Sequence, residues 1–173
     1  KRFDNEFGGF GSAPKFPSPH NLIFLVRYYK IFDDKNALDM VITTLNKMRL
    51  GGIFDHIGYG FHRYSTDKNW FLPHFEKMLY DQAMISMAYL EAFEATNDEK
   101  YASVVEEIFS YVIRDMLNEE GGFFSAEDAD SEGEEGIFYI WEFKEIINIL
   151  GQERGKTFCD VFGIKQRGNF LDE

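Results

Sequence analysis

The chain has 173 residues, and 18 Lys and Arg against 30 Asp and Glu give a formal net charge of −12. Phosphate backbones and anionic membrane surfaces are bound by clustered cations, so this balance excludes nucleic acids and membrane surfaces as partners. Aromatic residues make up 17% of the chain, which excludes a disordered protein and predicts a large core. The single cysteine, Cys159, cannot form an internal disulfide, and a cytoplasmic location is expected.

Apolar residues at helical spacing predict two helical hairpins and the start of a third. Ser18 and Pro19 are typical of a helix start, and Gly51 is typical of a helix end. The predicted elements are a first hairpin over about residues 19–50, a second over about residues 73–120, a third from about residue 142, and a weaker helical candidate over residues 152–164.

Long loops separate the predicted hairpins, and three of them begin with a glycine pair. The pairs are Gly8–Gly9, Gly51–Gly52 and Gly121–Gly122, which indicates an internal repeat of one loop per hairpin. Short strands are expected inside the loops, at residues 61–64 and 138–141.

Repeated hairpins with long loops predict an all-α fold of antiparallel helical hairpins, a partial α/α toroid with short β-hairpins between its helices. The chain begins without Met, and two and a half hairpins cannot close a ring, so residues 1–173 are expected to be a piece of a longer chain and an incomplete toroid domain. Its unpaired helical edges are then apolar, and we expect this piece to self-associate.

Three of the four histidines lie within nineteen positions, beside acidic residues and an arginine. Because histidine titrates nearest to neutral pH, this group suits proton transfer to a neutral substrate. The candidate catalytic residues of this segment are His56, His62, Arg63, His74 and Glu76. The structural alternative is that the histidines hold a loop while Asp55 pairs with Arg63, and that Lys77 pairs with Asp81 one helical turn away.

The histidine spacing argues against a metal. His56 and His62 are six positions apart, which fits neither zinc-finger histidines nor the helix of zinc proteases, and no thiolate is near them in the sequence. We predict no metal and no other cofactor.

An acidic segment over residues 127–136 is the second candidate. Asp128, Asp130 and Glu132 fit the first half of a calcium loop, but Tyr139 stands where the bidentate glutamate is needed. The segment is therefore an incomplete calcium loop, an ordinary acidic hairpin tip, or a source of catalytic carboxylates, Asp128 and Asp130, since glycosidases need two carboxylates.

Aromatic side chains in the loops suit sugar rings, which have apolar faces and polar rims. Aromatic side chains are more often packed in the core, so core packing is the alternative to sugar binding for each of these residues. The predicted substrate-binding residues are Asp55, Tyr64, Trp70, Asp81, Gln82, Glu127 and Trp141.

Five motifs covering nearly the whole chain resemble those of one family, the YyaL-type proteins and the mammalian spermatogenesis-associated protein with a thioredoxin-like domain. The motifs are residues 8–17, 52–58, 60–65, 73–82 and 125–133. The resemblance implies a longer parent with a thioredoxin-like domain, absent here, followed by a toroid similar to six-hairpin glycosidases and N-acylglucosamine 2-epimerases. Residues 1–173 would then be the N-terminal part of that toroid domain. One departure is Tyr59, which stands at a glycine position of the family's turn.

The resemblance implies carbohydrate processing, either glycosidase-like or epimerase-like, with a carbohydrate as the ligand. The competing hypothesis is a non-catalytic sugar-binding or protein-binding platform that accompanies the thioredoxin-like redox domain. In either case the rest of the toroid and the thioredoxin-like domain are the expected partners, and the isolated piece is expected to be inactive, because a toroid builds its funnel from all its hairpins.

Overall fold

The computed structural model describes residues 2–169. The chain forms two compact units, the first ending at Asp130 and the second beginning at Ser131. The helices of the first unit are α1 (Pro19–Phe32), α2 (Lys35–Leu50), α3 (Leu79–Thr96) and α4 (Glu99–Tyr111), which continues into one π-helical turn (Val112–Met116). Those of the second unit are α5 (Phe143–Leu150) and α6 (Gln152–Phe162). No helix of the described part is long and apolar enough to cross a membrane.

Two-residue connections turn each pair of long helices into a hairpin. Asp33 and Asn97 adopt the left-handed conformation after α1 and α3, and their N–H groups donate back to the preceding helix. Asp34 and Asp98 then cap α2 and α4 through their side chains. The predicted helix start is confirmed, since α1 begins at Pro19 with Ser18 at the N-cap position, but the Ser18 side chain makes no capping hydrogen bond.

The core of the first unit lies where α1 packs against α2 and α3, and where α3 packs against α4. Burying these apolar side chains provides most of the stabilisation, at about 25 cal/mol for each Å² removed from water. Fully buried members from the four helices are Val26, Val41, Leu45, Met48, Ile85, Ala88, Ala92 and Ile108. In the second unit, α5 packs against α6 and Cys159 is buried as an apolar residue.

The segment before α3 is extended, not helical. Strand β1 (Tyr64–Ser65) pairs antiparallel with β2 (Pro73–His74), and β3 (Lys77–Met78) pairs with β4 (Ala126–Glu127). The predicted helix start at Pro73 is therefore wrong, because the backbone of residues 73–78 bonds to neighbouring loops.

Two further strands, β5 (Asp130–Ser131) and β6 (Glu134–Glu135), lie at and just after the boundary between the units. The predicted strand over residues 138–141 is wrong. The N–H groups of Tyr139 and Ile140 both donate to the carbonyl of Gly136, which makes this segment a turn.

Two loops of the first unit, residues 3–10 and residues 54–61, fold in the same way. In each loop the terminal phenylalanines form an isolated antiparallel bridge. The next residue, Asp4 or Asp55, accepts two backbone N–H groups through Oδ1, at 3.0 and 3.1 Å in the first loop and at 2.9 and 2.8 Å in the second. The internal repeat therefore begins at these Phe-Asp pairs.

The glycine positions of the repeat differ from those predicted. Residues 8–9 and residues 59–60 are equivalent, with positive φ at all four positions. Gly51–Gly52 is not part of this pattern, since its backbone packs against the carbonyl groups of Trp70 and Phe71. The predicted equivalence of Gly51–Gly52 with Gly8–Gly9 is wrong.

A buried lysine closes the first loop. The Nζ of Lys15 donates to Asp4 Oδ2 and to the carbonyl of Gly8, both at 2.8 Å, and lies 5.2 Å from the ring centre of Trp70. The side chain is fully buried. A buried ammonium is tolerated only when it is paired and hydrogen-bonded, and this lysine meets both conditions. We call this arrangement a lysine clamp.

The second loop has the same clamp. The Nζ of Lys77 donates to Asp55 Oδ2 and to the carbonyl of Tyr59, both at 2.8 Å, and lies 4.4 Å from the ring centre of Tyr111. Gly60 has a φ of 82°, and a Cβ there would lie 2.6 Å from the Tyr111 ring. Both the ion pair and the glycine are therefore needed for the loop to close against α4.

We expect Lys77→Met to lower the free energy of unfolding by about 3–5 kcal/mol, because it leaves the Asp55 carboxylate buried without its partner. Urea denaturation measures this change. Lys35→Met is the matched control, since Lys35 pairs with Asp33 at the exposed surface and its loss should have no measurable effect. Equal stability of the two variants would contradict the clamp.

Candidate functional site

A half-exposed polar cluster lies beside the second lysine clamp, and we call it the Arg63 cluster. Its members are Arg63, Tyr64, His74, Glu76 and Asp81. The first four lie on or next to the β1–β2 pair, and Asp81 is in the first turn of α3. The extended segment over residues 73–78 brings them together, because its backbone pairs with residues 63–65.

Arg63 and Glu76 are joined twice. The Arg63 N–H donates to the Glu76 carbonyl at 2.8 Å, and Arg63 Nη1 donates to Glu76 Oε2 at 2.7 Å. The hydrogen bond that Arg63 donates to Glu76, and after it the one with Tyr80, raises the pKa of Arg63 above its usual range. His74 Nε2 lies 3.7 Å from the same Glu76 oxygen. The arginine is thus a fixed cation already neutralised by a carboxylate.

Three rings line the cluster in a stack. Tyr64 stacks on His74 with ring centres 5.0 Å apart and planes at 18°. Phe16 packs on the Tyr64 ring at 4.8 Å, and 42% of its surface is exposed. An exposed aromatic face beside polar groups is the arrangement that suits a sugar ring.

Two buried polar atoms of the cluster have no hydrogen-bond partner among the described residues. They are Arg63 Nε, a donor, and Asp81 Oδ2, an acceptor when ionised. Asp81 is only 7% exposed. Its pKa is raised to about 6, mainly by burial; the charge of Arg63 opposes this rise, and the charge of Glu76 adds to it. Because unsatisfied buried groups are rare and costly, each of these two atoms indicates a place for a water or a ligand hydroxyl.

His62 is a structural histidine. It is 2% exposed, and its Nδ1 lies 3.1 Å from the carbonyl of Phe75. Burial lowers its pKa to about 3, and the positive charge of Lys77 contributes. A side chain that stays neutral through this range cannot exchange protons near neutral pH, so the structure favours the loop-holding alternative for His62.

His56 is exposed and also ties down a loop. Its Nδ1 lies 3.1 Å from Arg49 Nη1, and its Nε2 lies 3.0 Å from the carbonyl of Gly51. The arrangement holds the start of the second repeat loop to the end of α2. It does not bring His56 into the Arg63 cluster.

The two ion pairs predicted as structural alternatives are both wrong. Asp55 pairs with Lys77 rather than Arg63, and Arg63 pairs with Glu76. Lys77 does not pair with Asp81, because Lys77 lies in β3 before the helix and its Nζ lies against Asp55.

Three predicted substrate-binding residues have buried structural roles. Trp70 is fully buried, and its Nε1 donates to the carbonyl of Phe7 at 2.8 Å. Gln82 bonds both backbone groups of Phe61, at 2.8 and 2.6 Å. Asp55 has both oxygens occupied within the second loop. Each of these three side chains therefore has a structural role within the first unit.

The acidic candidates Glu127, Asp128 and Asp130 follow the Arg63 cluster in the chain and have hydrogen bonds of their own. Glu127 accepts a hydrogen bond from the Tyr111 hydroxyl at 2.6 Å, and Asp128 is exposed and accepts the N–H of Asp130 at 3.1 Å. Asp130 is exposed too. No group of three or more His, Cys, Asp and Glu within residues 2–169 is placed to hold a metal ion. Trp141, in the second unit, is 44% exposed.

Tyr80 and both lysine clamps were not predicted from the sequence. Tyr80 follows the extended segment directly and is 52% exposed. The clamps have a detectable signal: Phe3-Asp4 and Phe54-Asp55 are each followed by Gly-Phe after four residues. Aligning the loops on these pairs, instead of on glycine pairs, would have placed Lys15 and Lys77 after equivalent loops.

Curated relatives share most of this chain. Spermatogenesis-associated protein 20 from Mus musculus is 44% identical over 186 aligned residues, which cover 96% of this chain and 24% of that protein. The Homo sapiens protein of the same name gives the same values. The chain belongs to the family of spermatogenesis-associated protein 20. An uncharacterized Caenorhabditis elegans protein is 38% identical over the same share of the chain.

The chain spans about a quarter of the length of the curated relatives it matches. No family model matches it. The Phe-Asp loops, the lysine clamps and the Arg63 cluster therefore describe one part of a spermatogenesis-associated protein 20 relative.

Solved structures with the same fold are sugar epimerases and an isomerase. A sugar epimerase from a ruminal bacterium aligns with a TM-score of 0.65 over 92% of this chain and 48% of that chain, at 17% identity. Cellobiose 2-epimerase from Bacillus thermoamylovorans gives 0.66 over 92% and 49%, at 15% identity. D-mannose isomerase gives 0.55 over 69% and 30%, at 19% identity. These alignments confirm the predicted fold class, a partial α/α toroid.

Two buried side chains, His62 and Asp81, are expected to change the stability of the protein with pH in opposite directions. His62 has a depressed pKa, so the stability it contributes is present above about pH 6.5 and is lost as pH falls toward about 3. Asp81 has a raised pKa, so its contribution is present below about pH 4 and is lost as pH rises through about 6. Between these limits the two effects partly cancel in the wild-type protein.

We therefore compare urea denaturation at about pH 7 and pH 5 in two variants. On acidification from about pH 7 to about pH 5, the free energy of unfolding of His62→Gln should fall by about 2 kcal/mol less than that of the wild type. The variant lacks the buried histidine that is protonated in the unfolded chain but stays neutral in the folded one. Asp81→Asn should lose more than the wild type. If both variants shift in the same direction, the assignment of these two buried groups is wrong.

Proposed function

We propose that the Arg63 cluster binds a sugar, and that the protein it belongs to processes that sugar. The observation that carries the proposal is the buried pair of Arg63 Nε and Asp81 Oδ2, a donor and an acceptor with no protein partner among residues 2–169. The fold supports it, because the solved structures that share this fold are named as sugar epimerases and a sugar isomerase.

A sugar hydroxyl would satisfy both atoms at once. It would accept the N–H of Arg63 Nε and donate its own hydrogen to the carboxylate of Asp81. The charged partners make such hydrogen bonds stronger than neutral ones. The ring stack of Phe16, Tyr64 and His74 would hold the apolar face of the sugar nearby.

We further propose proton transfer as the chemistry of the site, as sugar isomerisation and epimerisation require. Asp81 and His74 are the groups of the cluster suited to it, since Glu76 is held by Arg63 and His62 is buried and neutral. The raised pKa of Asp81, about 6, lies near the range in which a side chain both accepts and releases a proton readily.

The binding proposal is tested with Arg63→Lys, which keeps the positive charge beside Glu76 but removes the Nε donor. Ligand titrations of D-mannose and cellobiose followed by NMR amide shifts should show changes at Phe16, Tyr64 and Asp81 in the wild type. In Arg63→Lys the affinity should fall by about fivefold or more, because Asp81 keeps its ligand contact while one buried hydrogen bond is lost.

Arg27→Lys is the matched control. Arg27 lies on α1 and pairs with Glu91 instead of Glu76, so its replacement should leave sugar affinity unchanged. Binding of neither sugar, or amide shifts confined to another part of the chain, would overturn the proposal.

We also propose that this chain self-associates through α1. Phe24, Tyr28, Ile31 and Phe32 form an apolar stripe on its exposed side, with Phe24 and Phe32 62% and 64% exposed. Such a stripe on a soluble protein marks a surface that contacts another molecule or element.

Light scattering at micromolar concentration should detect dimers or larger species of the wild-type chain. The double variant Phe24→Asp and Phe32→Asp should be monomeric, because two charges cannot be buried in the contact without partners. A wild-type chain that is monomeric under these conditions contradicts the proposal.

A further inference from the structure

The charges of the Arg63 cluster point to the kind of sugar it takes. We infer that Asp81 makes the site selective for uncharged sugars and that sugars bearing a carboxylate or a phosphate are rejected. The inference rests on the proposed function and deepens it, because it assigns both the ligand class and the residue that determines it.

An arginine in a binding site usually suggests an anionic ligand, and here the geometry argues otherwise. Arg63 Nη1 is bound to Glu76 Oε2 at 2.7 Å, and the backbones of the same two residues are joined at 2.8 Å. The cation is therefore already paired with a carboxylate on the neighbouring extended segment. An anionic ligand would have to compete with Glu76 for that guanidinium.

Asp81 adds a second carboxylate to this balanced pair. When Asp81 is ionised, the cluster holds one cation and two anions, and its net charge is negative unless His74 is protonated. The buried lysines nearby do not change the balance, because Lys15 pairs with Asp4 and Lys77 with Asp55. With the whole chain at −12, the cluster repels a second anion.

The unpartnered atoms fit the same ligand class. A buried acceptor on Asp81 requires a hydrogen-bond donor, which a hydroxyl has and a carboxylate or phosphate oxygen lacks. The N–H of Arg63 Nε is a hydrogen-bond donor and requires an acceptor, which the oxygen of a hydroxyl supplies. A neutral hydroxyl can accept a hydrogen bond from Arg63 Nε and donate one to Asp81. A carboxylate or phosphate in its place would put a second anion against the Asp81 carboxylate.

The test uses three ligands that differ in charge on one scaffold, D-glucose, D-glucuronate and D-glucose 6-phosphate. Binding to the wild-type chain is measured by calorimetry at about pH 8, where Asp81 is ionised and histidine side chains are ordinarily neutral. D-Glucose should bind at least about tenfold more tightly than either anion. Raising the salt concentration should narrow this difference, because screening weakens the repulsion.

Asp81→Asn should reduce the preference for D-glucose to about threefold or less, since the amide keeps the shape of the side chain and removes its charge. Glu106→Gln, at an exposed position of α4, is the control for removing one negative charge elsewhere and should keep the wild-type preference. The wild-type ligand series tests the inference even if Asp81→Asn does not fold.

The outcomes separate the inference from the proposed function. If either anion binds the wild type as tightly as D-glucose, the inference is overturned while sugar binding stands. If Glu106→Gln loses the preference as fully as Asp81→Asn, selectivity comes from overall charge, and the role of Asp81 is overturned. If no ligand of the three binds, both the inference and the proposed function fail.

Discussion

The buried ion pair of Lys77 and Asp55 is the interaction on which the site depends. It fixes the loop over residues 54–61 and, through Lys77 itself, the extended segment over residues 73–78. A fully buried ammonium is costly unless every one of its hydrogens has a partner, so these two segments cannot move apart without a large penalty. The neighbours of Lys77 in that segment, His74 and Glu76, are held in the Arg63 cluster as a result.

The same physics separates two aspartates of this region into different roles. Asp55 has a lysine and two backbone N–H groups within reach, so Lys77 and these groups lower its pKa despite burial. Asp81 is buried without such partners, and its pKa rises to about 6. A carboxylate satisfied by the fold stabilises the fold. A carboxylate that the fold buries and leaves unsatisfied is available for a ligand, and this is why we assign Asp81 and not Asp55 to the site.

The sequence predicted the helices well and the site only in part. Apolar spacing and the Asp-capped turns at Asp34 and Asp98 are local signals, and α1, α2, α4 and α6 follow them closely. The start of α3 could not be predicted in this way, because the strand pairing of residues 73–78 depends on Tyr64 and Ala126, which are distant in the chain. The repeat was recognised, but glycine pairs gave the wrong alignment of its loops.

The cluster of titratable residues in the sequence identified the segment that carries the site, but it did not show which of these residues belong to the site. His62, His74, Asp55 and Asp81 look alike as titratable residues in a loop, and only burial and partners distinguish them. Those partners come from other elements, as the Lys77 contact with Asp55 shows, so no local pattern contains them.

The most direct test of the account is a crystal structure of this chain with a bound neutral sugar such as D-mannose. One sugar hydroxyl should lie within hydrogen-bond distance of both Arg63 Nε and Asp81 Oδ2, with the sugar ring against Phe16 or Tyr64. A sugar bound elsewhere, or another protein group bonded to Arg63 Nε and Asp81 Oδ2, would contradict it.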